Sequence, residues 1–246
     1  MVSRHEIIQK LTDGLKKNPH VFALWLEGAD SNNTVDKFSD IDVWLDVKDG
    51  KEREVFRSIK KILQKLGPTT LLGFLDNPNP DIFTRAYHLD NTPPTLLIDI
   101  CVQRHSRNFV FIKEHTHERP KILFDKCTVI QYKKLNAAEE KCIQQKRIEF
   151  LKSALRQKGR IIAKIKRKDF LEALAYYHKW ALAPLVELLR IRYAPLKREY
   201  HLKHASRDLP KRVVAQLEDL YKVASVKDIQ SKLSKACKLF YQTLKK

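Results

Sequence analysis

Residues 38–47, reading Phe-Ser-Asp-Ile-Asp-Val-Trp-Leu-Asp-Val, constrain the fold more than any other stretch of this chain. In an extended strand alternate side chains share a face, so Asp40 and Asp42 project to one side. Ile41, Val43, Leu45 and Val47 project to the other and can pack into a core. Two like charges set side by side repel, and each raises the other's pKa. A divalent cation reverses that cost, because Mg²⁺ is a hard ion that takes oxygen ligands. A solvated acidic face on an edge strand would carry the same doublet, so the doublet alone leaves both readings open.

The residues upstream narrow the choice. Residues 21–27, Val-Phe-Ala-Leu-Trp-Leu-Glu, read as a strand of aromatic and branched residues running into Gly28-Ala29-Asp30-Ser31-Asn32-Asn33, a glycine followed by small polar turn formers. Backbone N–H groups exposed after a strand-ending glycine can cradle phosphate oxygens. Downstream, residues 95–102 form an apolar run interrupted by one charge, Asp99. A lone buried carboxylate is costly, so Asp99 is either paired or a third metal ligand, and the ligand is the more economical reading.

Together these residues resemble the nucleotidyltransferase superfamily that includes DNA polymerase beta, the antibiotic nucleotidyltransferases and the small nucleotidyltransferase antitoxins. That family carries Gly-Ser, roughly ten residues, Asp-x-Asp, then a third Asp on a later strand. Gly28-Ala29 stands at the Gly-Ser spacing from Asp40 and Asp42, and Asp99 fits the later acid. Ala29 replaces the family's serine, whose hydroxyl contacts the nucleotide phosphates; Ser31 and Ser39 are the nearby hydroxyls that can substitute. The resemblance covers about the first half of the chain and implies transfer of a nucleoside monophosphate from a triphosphate, ATP foremost, to a hydroxyl of a small molecule, with release of pyrophosphate. The antitoxin relatives imply instead transfer to RNA or a protein side chain, and Ala29 leaves open a non-catalytic nucleotide- or partner-binding module of the same fold. For the enzyme, the resemblance implies two Mg²⁺ ions about 3.5–4 Å apart clamping the attacking and leaving oxygens. Asp40 and Asp42 would hold both ions, Asp99 would add a ligand or act as base, and the Gly28 turn would hold the terminal phosphates.

Composition agrees with an enzyme of two modest domains. A chain of 246 residues can bury one large core or two small ones. No apolar run approaches a membrane span, the opening residues are not a signal peptide, and Ser3 with Glu6 suggests a capping box starting a helix. Cys101, Cys127, Cys142 and Cys237 lack paired spacing, which points to reduced thiols in a cytoplasmic protein. His115-Thr116-His117 offers two imidazoles without a third ligand, weak ground for zinc.

Charge divides the chain. Residues 1–132 hold 19 Lys and Arg against 18 Asp and Glu, whereas 133–246 hold 29 against 11, so the second part carries +18 of the net +19. Patterning divides it at the same place. Helices are expected at about 3–18 and 51–66, and strands at 20–27, 40–47, 69–75, 81–89 and 95–103. Long helical periodicity then runs over 136–166, 169–192, 208–223 and 226–244. The expected fold is α+β: a mixed β-sheet nucleotidyltransferase domain with helices over 1–132, followed by an all-α helical bundle over 133–246.

In the antibiotic branch the helical domain commonly supplies the acceptor pocket and sometimes a carboxylate. Glu172, Tyr176, Lys179, Ala183, Glu187 and Arg190 share one stripe of the 169–192 helix, opposite Leu171, Leu174, His178, Leu182, Leu185 and Leu188. Glu187 or Glu172 would take the acceptor's proton, with Tyr176 stacking on a ring; a solvated face of ion pairs would look the same. Pro184 is placed to kink the helix. Strong positive charge disfavours polycationic acceptors and suits a neutral or anionic small molecule, or RNA. Tyr176, Tyr177, Trp180 and Tyr193 near Arg190, Arg192, Lys197 and Arg198 suggest RNA stacking platforms, although aromatics at helical spacing are usually core. Arg104-His105-Ser106-Arg107 after the Asp99 strand is either a phosphate contact or a plain strand exit.

Overall fold

The computed structural model describes residues 2–75, 78–116 and 119–245. The chain forms two compact units, 1–135 and 136–246. The first opens with α1 (Arg4–Lys16), where the Ser3 hydroxyl accepts the Glu6 N–H at 3.1 Å as a capping residue should. Then come β1 (Val21–Leu26), the single-turn α2 (Gly28–Ser31), β2 (Ile41–Val47) and α3 (Glu52–Gln64). The remaining strands are β3 (Thr69–Leu75), β4 (Ile82–Leu89), β5 (Leu97–Arg104), β6 (Phe111–Ile112), β7 (Lys121–Asp125) and β8 (Tyr132–Lys133).

Six strands make one mixed sheet in the order β3-β4-β5-β2-β1-β7, and β6 pairs with β8 separately. Among the described residues only β2 and β5 run parallel within the large sheet, and their register sets Ile41 opposite Ile98 and Asp42 opposite Asp99. The alternation read from the sequence is realised. Ile41, Val43, Leu45 and Val47 are all buried, packed with Ile98, Ile100 and Val102 against Ile7, Leu11 and Leu15 of α1 and Val55, Phe56 and Ile59 of α3. Burial of each such side chain stabilises the unit by about 1.5–3 kcal/mol. The opposite face holds a smaller aromatic cluster of Trp25, Trp44, Phe109 and Phe111 with Ala23, Val129 and Ile130. Asp125 folds the turn that delivers the last two, its carboxylate accepting the Val129 and Ile130 N–H groups at 3.0 and 2.9 Å.

The second unit is helical: α4 (Ala137–Arg156), α5 (Lys158–Lys166), α6 (Phe170–Tyr177), α7 (Ala183–Tyr193), α8 (Ala205–Asp208), α9 (Lys211–Tyr221) and α10 (Val226–Leu244). The single expected helix over 136–166 is two helices that meet at Gln157. A π-helical turn over His178–Leu182 joins α6 to α7, and the Ala183 N–H donates to the His178 carbonyl five residues back. Pro184 explains it, since proline offers no N–H to the carbonyl four residues earlier and its ring crowds that carbonyl.

Burial on the two sides of that turn corrects the two-stripe reading of this helix. Leu171 (76% exposed) and His178 lie outward before and at the turn, while beyond it both expected stripes are buried, Glu187 and Arg190 together with Leu185 and Leu188. Residues 184–191 are buried on every side, and α7 is the centre of the bundle rather than an amphipathic surface helix. Among the described residues no helix is long and apolar enough to cross a membrane.

Candidate active site

Pairing decides where the three acids stand. Asp42 and Asp99 are direct neighbours across the parallel β2–β5 ladder, and Asp40 lies one residue before β2. Each is half-buried, and each offers one oxygen within 4.8 Å of the other two. Glu27 follows the last residue of β1, and its N–H donates to the Asp42 carbonyl at 3.1 Å. The Glu27 carboxylate accepts the Trp25 indole N–H at 2.9 Å. Trp25 stacks on Trp44 with ring centroids 5.9 Å apart, so an aromatic floor lies beside the acids on the same sheet face. Cys101 is two residues beyond Asp99; burial pushes its thiol up to about 12, and the Glu27, Asp42 and Asp99 carboxylates act in the same direction.

Gly28 has φ +61°, and a Cβ built there would lie 2.0 Å from Asp42 Oδ2. Only glycine leaves that carboxylate its place. The turn expected after β1 is a single helical turn, α2, rather than an open loop. Ser31 and Ser39 spend their hydroxyls locally: Ser31 Oγ donates to the Gly28 carbonyl at 3.0 Å and Ser39 Oγ to Asp36 at 2.9 Å. Ala29 is half-buried.

Three convergent carboxylates form a hard, all-oxygen donor set, which is the chemistry that suits Mg²⁺. The space that Gly28 leaves is filled by the Asp42 carboxylate, one member of that set.

Several neighbours were not singled out from sequence. Glu27 could have been found, because it lies two residues after Trp25 and so shares the face of the acids. Arg4 and Asp30 form an ion pair under α2 that no local pattern announces. The basic run after β5 is committed internally: Arg104 pairs with Glu52 at 2.9 Å and Asp81 at 3.1 Å, His105 meets Asp46, and Arg107 donates to Gln103 at 2.6 Å. These bonds support the strand-exit reading of those residues. His117 lies outside the described residues.

In the helical unit, Glu187 is buried and takes a two-pronged bond from Arg147 at 2.6 and 2.7 Å. Glu172 is half-exposed on α6 and pairs with Lys164. Tyr176 is half-buried with Lys164 Nζ 5.9 Å from its ring centre. Tyr177 is fully buried and donates to the Leu220 carbonyl at 3.1 Å. Arg190 is fully buried and pairs with Asp208, which Lys197 also meets at 2.7 Å, while Arg198 pairs with Glu140. Three of the four basic residues placed beside those aromatics therefore serve the bundle itself.

Two solved structures are similar in outline. An aminoglycoside 6-adenyltransferase from Bacillus subtilis shares 16% identity at a TM-score of 0.42, over 100% of this chain and 90% of that one. JHP933 from Helicobacter pylori shares 9% at 0.30, over 100% and 95%. No curated protein matches the chain. The streptomycin adenylyltransferase family model matches residues 1–246, the whole length, so the chain belongs to that family and is a nucleotidyltransferase of the antibiotic-modifying type.

Proposed function

We propose that the protein transfers AMP from ATP to a hydroxyl of a small molecule, using Mg²⁺ held by Asp40, Asp42 and Asp99. The convergence of those three carboxylate oxygens within 4.8 Å carries the reading. Bound there, the metal would neutralise charge on the triphosphate and lower the pKa of the attacking hydroxyl. The chain's own contribution is position. Gly28 keeps Asp42 in place, and the backbone of α2 faces the phosphates in place of the missing Ala29 hydroxyl. Asp99, opposite Asp42, is the candidate to take the acceptor's proton if it is not itself a ligand. In-line displacement asks for little else than alignment and charge neutralisation.

The helical unit supplies the acceptor pocket in this reading. Glu172 is the more exposed of the two and would part from Lys164 to serve as a base, whereas Glu187 is buried and would part from the two-pronged bond to Arg147. The excess positive charge of this half favours a neutral or anionic acceptor over a polycation. The same charge supports a second reading, transfer to RNA, but Tyr177 and Arg190 lie in the bundle core and so weaken it. Four free cysteines suit a cytoplasmic protein.

Calorimetric titration of a non-hydrolysable ATP analogue, with and without Mg²⁺, tests the donor site. Mg²⁺-dependent binding that Asp42→Asn weakens is the expected result. Binding indifferent to both Mg²⁺ and Asp42 overturns the assignment.

A further inference from the structure

Nine residues separate α2 from β2, and most of them are exposed, Phe38 to 64%. A segment with so little buried apolar surface is held by polar bonds or not at all. Inside it, Asp36 accepts the Phe38 N–H at 2.9 Å and the Ser39 hydroxyl at 2.9 Å, which shapes the turn but anchors it to nothing. Its start is tied to α2, where the Thr34 N–H donates to the Ala29 carbonyl at 3.0 Å and Asn32 Nδ2 to the Gly28 carbonyl at 2.7 Å. A longer tie comes from α1. Arg4 Nη2 donates to Asp30 in α2, and Arg4 Nη1 donates to the Ser39 carbonyl at 2.8 Å. One guanidinium therefore grips both ends of the segment.

The grip is shielded: the Asp30 side chain is 6% exposed and that of Arg4 17%. Arg4 Nε is buried with no hydrogen-bond partner among the described residues. Leaving a buried donor unmet costs stability, so packing α1 gives no reason for a guanidinium at this position. What the fork gains is reach, since its planar geometry serves two acceptors at once where an ammonium is a single point. The Ser39 carbonyl belongs to the peptide unit that leads into Asp40, so fixing it fixes where the Asp40 side chain starts.

We infer that Arg4 is a positioning residue for the acidic site: through Asp30 and the Ser39 carbonyl it ties the glycine turn to Asp40 and holds Asp40 in reach of Asp42 and Asp99. The role rests on the reading of those three acids as a cation site. Its test uses Mn²⁺ alone as the probe, by calorimetry on the full chain without nucleotide, together with amide hydrogen exchange. Arg4→Met is expected to weaken Mn²⁺ binding tenfold or more, as loss of a group that orients a ligand does. It should also speed exchange over residues 29–40 while β4 and β5 exchange as in the parent. Arg4→Lys keeps the charge beside Asp30, loses the second arm, and should fall between the two. Asp30→Asn replaces Arg4→Met if the latter does not fold, with the same expectations.

Mn²⁺ affinity within twofold of the parent overturns the inference, even if exchange accelerates, because Arg4 would then hold a loop and nothing more. A parent that binds no Mn²⁺, or binds it equally well as Asp42→Asn, defeats the cation-site reading instead. Exchange over 29–40 then judges the clamp by itself, and unchanged exchange in Arg4→Met overturns it too.

Discussion

Strand β2 carries acids at both ends of one sheet face, and the two ends are built in opposite ways. At the far end, Asp46 is buried to within 2% and both oxygens are met: His105 Nδ1 lies 2.6 Å from one, and Gln103 Nε2 donates to the other at 2.8 Å. Gln103 is itself buried and accepts from Arg107. At the near end Asp40 and Asp42 are half-buried, and the β5 register brings Asp99 against them. A buried carboxylate is tolerated when its oxygens are hydrogen-bonded, and Asp46 satisfies that rule with the protein's own donors. The near end gathers like charge in a partly open place, which a fold gains nothing by doing. In the proposed function, the buried acid with both oxygens bonded serves the structure and the converging acids serve the chemistry.

The comparison is broken most forcefully at Asp42. Asp42→Asn should lower kcat/KM by about 10³-fold or more, roughly 4 kcal/mol of transition-state stabilisation. Its thermal midpoint should stay level or rise, because one of three repelling charges is gone. Steady-state kinetics beside a melting curve settles it. A drop in both quantities would mean that Asp42, like Asp46, is a structural acid.

Gly28→Ala comes next. The added Cβ would lie 2.0 Å from Asp42 Oδ2, at a φ that non-glycine residues avoid. The carboxylate must shift by about 1 Å or more, and misplacement on that scale costs on the order of 10²-fold in rate. Backbone strain adds about 1–2 kcal/mol to the stability loss. Rates within threefold of the parent would show that the turn does not set the position of Asp42.

Asp46→Ala tests the other end and should show the reverse pattern. Removing the carboxylate leaves the buried Gln103 amide without its acceptor, a loss of about 1–3 kcal/mol in stability. Chemical denaturation measures it. Turnover per folded molecule, assayed well below the new melting point, should stay within about threefold of the parent. A large fall in kcat without a fall in stability would make the network around His105 part of the catalytic apparatus.

Much of this contrast is legible in the chain itself. Alternation in 38–47 gives the buried face of β2, and the spacing of Gly28, Asp40, Asp42 and Asp99 brings out the acidic cluster. Local pattern carries such information because a strand's two faces depend only on parity. Partners far apart in sequence escape it. Asp46 and His105 are 59 residues apart, and Arg4 and Asp30 are 26 apart, so nothing beside either member announces the other. Helical faces fail for a different reason. A stripe drawn through 172–190 assumes a helix with one solvent face, whereas α7 beyond the π turn is enclosed on every side, so Glu187 and Arg190 lie in the core together with Leu185 and Leu188. β7 escapes the strand pattern because Lys121-Ile122-Leu123-Phe124-Asp125 is a short edge strand whose exposed Lys121 and Ile122 dilute the apolar signal.

The smallest effect sharpens the near end. Ala29 stands beside Gly28 where relatives of this fold carry serine, and neither Ser31 nor Ser39 has a hydroxyl proton to spare, since each donates to a partner within its own turn. Ala29→Ser adds a donor to the turn without touching the acids. A neutral hydrogen bond contributes about 0.5–1.5 kcal/mol, so KM for the nucleotide should fall by about 2- to 10-fold while kcat changes less. Such a split would place the residue 29 side chain on the phosphates of the ground-state complex. An equal gain in kcat at constant KM would instead mean that the hydroxyl acts on the leaving pyrophosphate as its charge develops. If neither constant moves, the backbone N–H groups of α2 already saturate the phosphates, and the near end of β2 works through its carboxylates and main chain alone.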